Sequence, residues 1–277
     1  MVIVQKSSGQ LGNKLLISAH ATAYCLSRHE TLLNAVLGYD AIYFSASLFA
    51  RNRIFVVNSK RLQWIFSKCL RGIKQTITIF RSRPLFDEYQ VGWVHTELND
   101  LRRGKKNWLL LEGEGFRSSI DVQRNQATIR SLFSPKTKYI KQVDRIIVSL
   151  KEKGSLLVGI HLRKGDYKDW KSGEYYFDDL TYMNYIEQAK RLFKNQSVGF
   201  ILCSDEPINK NLFQSETAYI STNEVIVDLY LLAKCDYLIG PPSTFSGWAS
   251  FYGDVPLCVV ESKDAELTLS NFKRYTL

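Results

Sequence analysis

Unbroken apolar runs punctuate the chain at MVIVQ (1–5), IFVVN (54–58), LLVGIHL (156–162), VGFILC (198–203), DYLIG (236–240) and PLCVV (256–260). Runs this short and this uniformly apolar suit strands covered on both faces, the condition of a parallel sheet. The last four alternate with helical segments, which predicts a parallel sheet with helices on both faces from about residue 155 onward. The first run leads into a glycine turn at Gly9–Gly12 and then an apolar-rich helix from about Asn13 to Arg28. Residues 60–150 read as helical and irregular. The pattern predicts an α/β protein of two domains, 1–150 and 151–277, without internal repeats or low-complexity segments.

Composition narrows the class. A chain of 277 residues, 45% hydrophobic and 13% aromatic, has enough apolar surface for two modest cores. No stretch approaches the roughly 18 uncharged apolar residues of a spanning helix. The opening MVIVQKSSGQLGNK has no signal-peptide core, so a cytoplasmic setting is expected. Cys25, Cys69, Cys203, Cys235 and Cys258 are odd in number and scattered, which fits reduced filler rather than a zinc site or disulfide framework.

The formal charge of +10 would attract nucleic acid, an anionic membrane face or a phosphorylated small molecule. Basic residues gather between Arg51 and Lys106, in KRLQWIFSKCLRGIK, RSR and LRRGKKNW, with Trp64, Phe66 and Trp108 among them. A solvated helix face accounts for this cluster; a membrane-proximal or acceptor-facing surface is the functional alternative. Basic residues with aromatics also suit single-stranded nucleic acid. No nucleic-acid module is visible, however, and the polar groups gather at sheet edges.

Ligands of parallel sheets bind beyond the carboxyl ends of the strands. The strand at 156–162 runs into His161-Leu-Arg163-Lys-Gly-Asp166-Tyr167, with His161 and Arg163 on one face. An arginine fork beside a histidine donor suits a diphosphate; a surface Arg163–Asp166 ion pair with His161 in the core explains the residues equally well. Ser204-Asp205-Glu206 ends the next strand, where capping is the plainer reading. The strand at 236–240 opens into Pro241-Pro242-Ser243-Thr244-Phe245-Ser246, a strand-to-helix turn suited to an anion. Asp228 either caps its helix or accepts both N1–H and the exocyclic amine of guanine, a match that adenine and uracil do not offer.

These residues together resemble the fucosyltransferase superfamily, most closely glycosyltransferase family 11, the α-1,2-fucosyltransferase family. Its HxRRGDY motif is similar to His161–Tyr167, with Lys164 in place of the second arginine. Its downstream block is similar to DLYLLAKCDYLIGPPSTFSGWASFY at Asp228–Tyr252, and its opening GGLGNQ to Ser8–Lys14. The resemblance implies a GT-B-type fold of two facing Rossmann-like domains, the N-terminal one on the acceptor side and the C-terminal one binding the GDP-sugar. It implies inverting transfer of fucose from GDP-fucose to a glycan acceptor in cell-surface polysaccharide or oligosaccharide synthesis, with no metal or other cofactor.

By the same resemblance Arg163 holds the β-phosphate, with His161 and Asp205 beside it. Ser243, Thr244, Phe245 and Ser246 cradle the diphosphate, Asp228 reads guanine, and Gly9, Gly12 and Asn13 close over the donor. Asp166 and Glu174 are the carboxylates available as acceptor base. Departures at Lys14, Gly247 and Phe251 leave the phosphate elements standing and open the question of sugar and acceptor. The alternatives are another nucleotide sugar, a non-catalytic sugar-nucleotide binder and, least favoured, a nucleic-acid-binding protein. A peripheral contact of the basic 51–106 region with the inner membrane face is a further expectation.

Overall fold

The computed structural model describes residues 1–6, 9–45, 50–51, 53–57, 61–62, 64–65, 68–69, 71–72, 86–91, 95–101, 108–151, 156–213 and 218–277. The chain divides into two compact units, 1–136 with the final residue, and 137–276.

The first unit begins with β1 (Val2–Lys6) and α1 (Leu11–Ser27). It continues with β2 (Leu32–Asn34), β3 (Ala50–Arg51), β4 (Ile54–Val56), β5 (Phe86–Val91), β6 (Thr96–Glu97) and the short α2 (Leu98–Leu101). It ends with β7 (Trp108–Gly113), β8 (Phe116–Arg117), α3 (Ser119–Arg124) and α4 (Gln126–Leu132). Its main sheet has the order β3-β4-β2-β1-β7-β5, parallel except for the β3–β4 pair. The apolar runs at 1–5 and 54–58 become β1 and β4. Sequence pattern alone does not reveal β5 and β7 inside the stretch read as helical and irregular: β5 reads FDEYQV, with its apolar residues too sparse to stand out. The helix α1 starts at Leu11, so Gly12 lies in its first turn rather than in a preceding loop.

The second unit comprises α5 (Thr137–Lys151), β9 (Leu156–Leu162), α6 (Asp179–Leu192), β10 (Val198–Ser204) and β11 (Ala218–Ile220). It then runs through α7 (Val225–Leu232), β12 (Tyr237–Gly240), α8 (Thr244–Gly253), β13 (Pro256–Val259) and β14 (Lys273–Arg274). The sheet order is β11-β10-β9-β12-β13-β14, parallel but for β14 at the edge. Helix α5 belongs here and not to the first unit: Gln142 Nε2 donates to Asn223 Oδ1 at 2.9 Å. The division therefore falls after Lys136, not near 150.

Every residue of β9 is buried. Leu156, Val158, Ile160 and Leu162 pack in one core with Tyr182, Tyr185, Ile186 and Ala189 of α6. On the opposite face Gly159 leaves room for α7 and β12: a Cβ there would lie 2.8 Å from Leu232 Cδ2 and 2.7 Å from Leu238 Cδ2. Helices thus cover both faces, and β9 is the central strand. The chain leaves it toward β10 and β11, then returns to β12 on the other side. That reversal opens a crevice beyond the carboxyl ends of β9 and β12, where such sheets bind ligands. Among the described residues, no helix is long and apolar enough to cross a membrane.

Candidate active site

Arg163 follows the last residue of β9 and is buried with its charge. A guanidinium removed from water needs partners on its fork. Its Nη1 meets Asp205 Oδ2 at 2.7 Å and its Nη2 is ion-paired with Asp166 Oδ1. The two carboxylates differ: the Asp205 side chain is 22% exposed, that of Asp166 57%. Register explains the first, because Cys203 lies opposite His161 and Ser204 opposite Leu162, which carries Asp205 to the level of Arg163. Asp205 Oδ1 also accepts the backbone N–H of Lys164 at 2.8 Å. A Cβ on Gly165 would stand 2.8 Å from Asp205 Oδ2, so this glycine gives the carboxylate its place. The Arg163 backbone N–H donates to the buried Tyr182 hydroxyl at 3.2 Å. Asp205 is thus a clamp on Arg163, whereas Asp166 is a solvent-facing partner that can leave.

Tyr167 joins this strand end to the next. Its hydroxyl donates to the Pro242 carbonyl, and the Arg163 guanidinium lies 5.3 Å from its ring centre. Burial pushes its phenol up to about 12, against the lowering effect of Arg163. Beyond Pro242, Ser243 caps α8, its Oγ accepting from Phe245 N at 3.2 Å. Ser246 Oγ donates to the Ser243 carbonyl at 3.2 Å. Part of the hydroxyl set read as an anion cradle therefore shapes the turn itself, and the amino end of α8 carries the partial positive charge.

His161 is buried, with its ring centre 4.9 Å from that of Phe245. Burial, reinforced by the nearby Arg163 charge, lowers its pKa to about 3, so the imidazole is neutral. Its Nδ1 is buried with no hydrogen-bond partner among the described residues. Gly240 makes the close approach possible: a Cβ there would lie 3.1 Å from that of His161. The Arg163–Asp166 ion pair and the packed histidine of the alternative reading are both present, although only the carboxylate side of the pair faces solvent. They coexist with a buried guanidinium and an unsatisfied ring nitrogen at a strand edge.

Asp228 sits in the first turn of α7, in a separate cluster. Ser221 Oγ donates to its Oδ1, while Asn223 Nδ2 donates to Ser221 Oγ at 2.8 Å and to Tyr219 Oη at 3.0 Å. Burial raises its carboxyl to about 7, only partly opposed by Ser221 and Asn223. Glu174 is exposed, just after a turn whose Lys171, Ser172 and Gly173 have φ of 47°, 58° and 78°. Left-handed backbone costs about 1–2 kcal/mol per non-glycine residue. Trp170 precedes that turn, its ring centre 4.8 Å from Tyr167 and 5.5 Å from Tyr175.

In the first unit, a Cβ on Gly9 would stand 2.1 Å from Asn13 Nδ2, so glycine lets the Asn13 side chain fold back over the turn. Asn13 Nδ2 donates to Glu114 Oε2 at 3.3 Å. Glu114 follows β7, which neighbours β1, so the pair spans the point where this sheet also reverses direction. Sequence reading passes over Glu114, because the LLLEGEG run offers no spacing that separates it from Glu112.

The departures from the family pattern have local partners. Lys14 pairs with Asp40, and the buried ammonium of Lys164 pairs with Asp179. At Gly247 a Cβ would lie 2.9 Å from the ring of Tyr275, which occupies the space above that helix position. Phe251 packs 5.7 Å from Trp248, centre to centre. Of the basic region, Phe66 and the RSR at 81–83 lie outside the described residues; Trp64 is 63% exposed and Trp108 38%.

The family model of Glycosyl transferase family 11 matches residues 2–266. Nodulation protein Z of Azorhizobium caulinodans is 27% identical over 144 residues, a stretch covering 41% of this chain and 44% of that relative. A mutant of Arabidopsis thaliana FUT1 in complex with GDP superposes with a TM-score of 0.62 at 15% identity, over 99% of this chain and 73% of that one. NodZ alpha-1,6-fucosyltransferase soaked with GDP-fucose gives 0.57 at 15% identity, over 98% and 96%. These likenesses establish the fold, GT-B-type with two Rossmann-like units, as the sequence resemblance implies. Because the family match takes in every strand but β14 and every candidate residue from Gly9 to Ser246, the chain belongs to glycosyl transferase family 11.

Proposed function

We propose that this protein transfers fucose from GDP-fucose to a hydroxyl of a glycan acceptor, with inversion and without a metal ion. The observation that carries the reading is Arg163, a buried guanidinium held at the sheet's topological switch by one partly buried carboxylate and one solvent-facing one. Family membership and the GDP and GDP-fucose named for the similar structures support the choice of donor.

In the reaction the bond from the sugar's anomeric carbon to the β-phosphate oxygen breaks, leaving charge on the diphosphate. The acceptor oxygen bonds to that carbon from the opposite face and loses its proton. Arg163 stabilises the departing charge, with the amino end of α8 at Ser243–Ser246 and the neutral His161 ring beside it. Asp205 keeps the fork aimed. The diphosphate takes the place of Asp166 on Nη2, which frees an exposed carboxylate to accept the proton; Asp166 is therefore preferred over Glu174 as base. Asp228 receives the guanine edge. Gly9, Gly12 and Asn13 are assigned to donor closure, the first unit to the acceptor side, and cell-surface glycan synthesis from the cytoplasmic side of a membrane to the biological setting.

Titration with GDP, UDP and ADP in the presence of chelator should show GDP binding selectively, and Arg163→Ala should lower turnover of GDP-fucose by on the order of 10²–10³. Equal binding of the three nucleotides, or an Arg163→Ala variant with parental turnover, overturns the reading.

Asp166→Asn separates binding from chemistry. Removing the competing charge should tighten GDP in calorimetry, while loss of the base lowers transfer by about 10²-fold or more. Weaker GDP binding would show instead that Asp166 supports the donor site.

Asp228 links stability to pH. Its native carboxyl titrates at about 7, against roughly 3.9 when unfolded. Between these values the native state holds a proton that the unfolded chain lacks, so this group's contribution to stability declines as pH rises through that window. The cost is complete above pH 7, on the order of 4 kcal/mol at most. Denaturant midpoints should therefore be higher for Asp228→Asn than for the parent at pH 8, with the difference closing toward pH 4. GDP binding should be weaker in the variant, and in the parent should fall below pH 7 as the carboxyl takes up its proton.

A further inference from the structure

Between Arg163 and α6 the chain makes a turn dense in aromatic side chains, with Lys168 and Lys171 set among Asp166, Asp169 and Glu174, and the donor reading leaves its outer part, Trp170–Tyr176, unused. Tyr167, Trp170 and Tyr175 form a continuous ladder of rings, 4.8 Å and 5.5 Å apart and tilted by 33° and 37°. The ladder starts at the buried Tyr167, against the Arg163 guanidinium, and runs outward to the partly exposed Trp170 and Tyr175. Trp170 and Tyr175 do not join the hydrophobic core beneath the sheet.

The backbone holding them is strained. Lys171 and Ser172 have left-handed φ values, and Gly173 follows at 78°. At Gly173 a Cβ would approach the Lys168 carbonyl to 3.1 Å, so both the backbone conformation and the space favour glycine there. Such strain concentrates at ligand clamps. Here it brings the exposed Lys171 ammonium over both rings, 5.1 Å from Trp170 and 5.2 Å from Tyr175. Lys168 stands 5.8 Å from the Tyr176 ring, although its charge is shared with Glu206.

We propose that this turn seats a pyranose unit of the acceptor that carries a carboxylate, a hexuronic acid or a comparable acidic sugar. The proposal rests on the donor reading above, which puts the reacting carbon beside Arg163. The apolar C–H face of a pyranose matches an aromatic face, and indole is the largest such surface among side chains. A hydrated point charge above two rings is matched by an anion in the same ligand. The Lys171 ammonium already rests over these rings, so a neutral sugar has no charge with which to draw it off the faces, and an inorganic anion has no apolar face to put in its place. The net charge of +10 favours an acidic acceptor from a distance as well.

Saturation-transfer NMR on the full chain, with and without GDP, tests this with methyl glucuronoside and methyl glucoside as probes. The glucuronoside should receive saturation about fivefold more strongly than the glucoside. Trp170→Ala should lose that signal, Trp170→Phe should keep it, and Lys171→Ala should bring the two probes to equal strength. Absence of saturation in the parent, a signal undiminished in Trp170→Ala, or discrimination undiminished in Lys171→Ala overturns the proposal. GDP titration of the same samples keeps the two readings apart. Parental GDP affinity with sugar signals indifferent to Trp170 removes the aromatic seat alone; failure of the parent to bind GDP removes the donor reading, while the GDP-free spectra still decide whether the turn binds an acidic sugar.

Discussion

A guanidinium held out of water at the end of a central strand governs the second unit. Arg163 would be costly there without its partners, and its surroundings are arranged around that cost. Asp205 is delivered by the register of β10, Gly165 leaves space for it, and the Tyr182 hydroxyl takes the backbone N–H next to the charge. The second carboxylate, Asp166, completes the neutralisation from the solvent side. A site built in this way is preorganised for an anion, since an arriving phosphate replaces a carboxylate rather than ordering a free side chain.

Topology makes the arrangement possible. Because β9 is central and the chain reverses between β10 and β12, the ends of β9 and β12 lie together without a connection crossing between them. Tyr167 takes advantage of this by bonding to Pro242, and His161 packs against Phe245 over the space that Gly240 leaves. The same geometry sets the aromatic turn directly after Arg163. One loop, 163–176, thus carries the proposed phosphate contact, the proposed base and a seat for one acidic sugar, the rest of the acceptor being assigned to the first unit.

The strands of the second sheet were legible because their runs are almost wholly apolar: β9, β10, β12 and β13 fall where those runs predict them. The strand β5 was not, since half of FDEYQV is acidic or amide. The helix α5 belongs to the second unit through contacts distant in sequence, which local periodicity does not carry. In the candidate site, residue type and strand-end position pick out Arg163, His161 and Asp205, and the match of a carboxylate to guanine picks out Asp228 on its helix. Their division of labour was hidden: Asp205 as a clamp depends on inter-strand register, and the raised Asp228 carboxyl depends on burial. The glycine at 247 departs from the family pattern because Tyr275, distant in sequence, fills the space above it.

In the proposed reaction Arg163 exchanges Asp166 for a diphosphate while keeping Asp205. A crystal structure of the protein with GDP bound measures this directly. The account predicts a β-phosphate oxygen within hydrogen-bonding distance of Arg163 Nη2, Asp205 still on Nη1, and the Asp166 carboxylate withdrawn. GDP bound away from the ends of β9 and β12, or Arg163 still engaged by both carboxylates with nucleotide present, would contradict it.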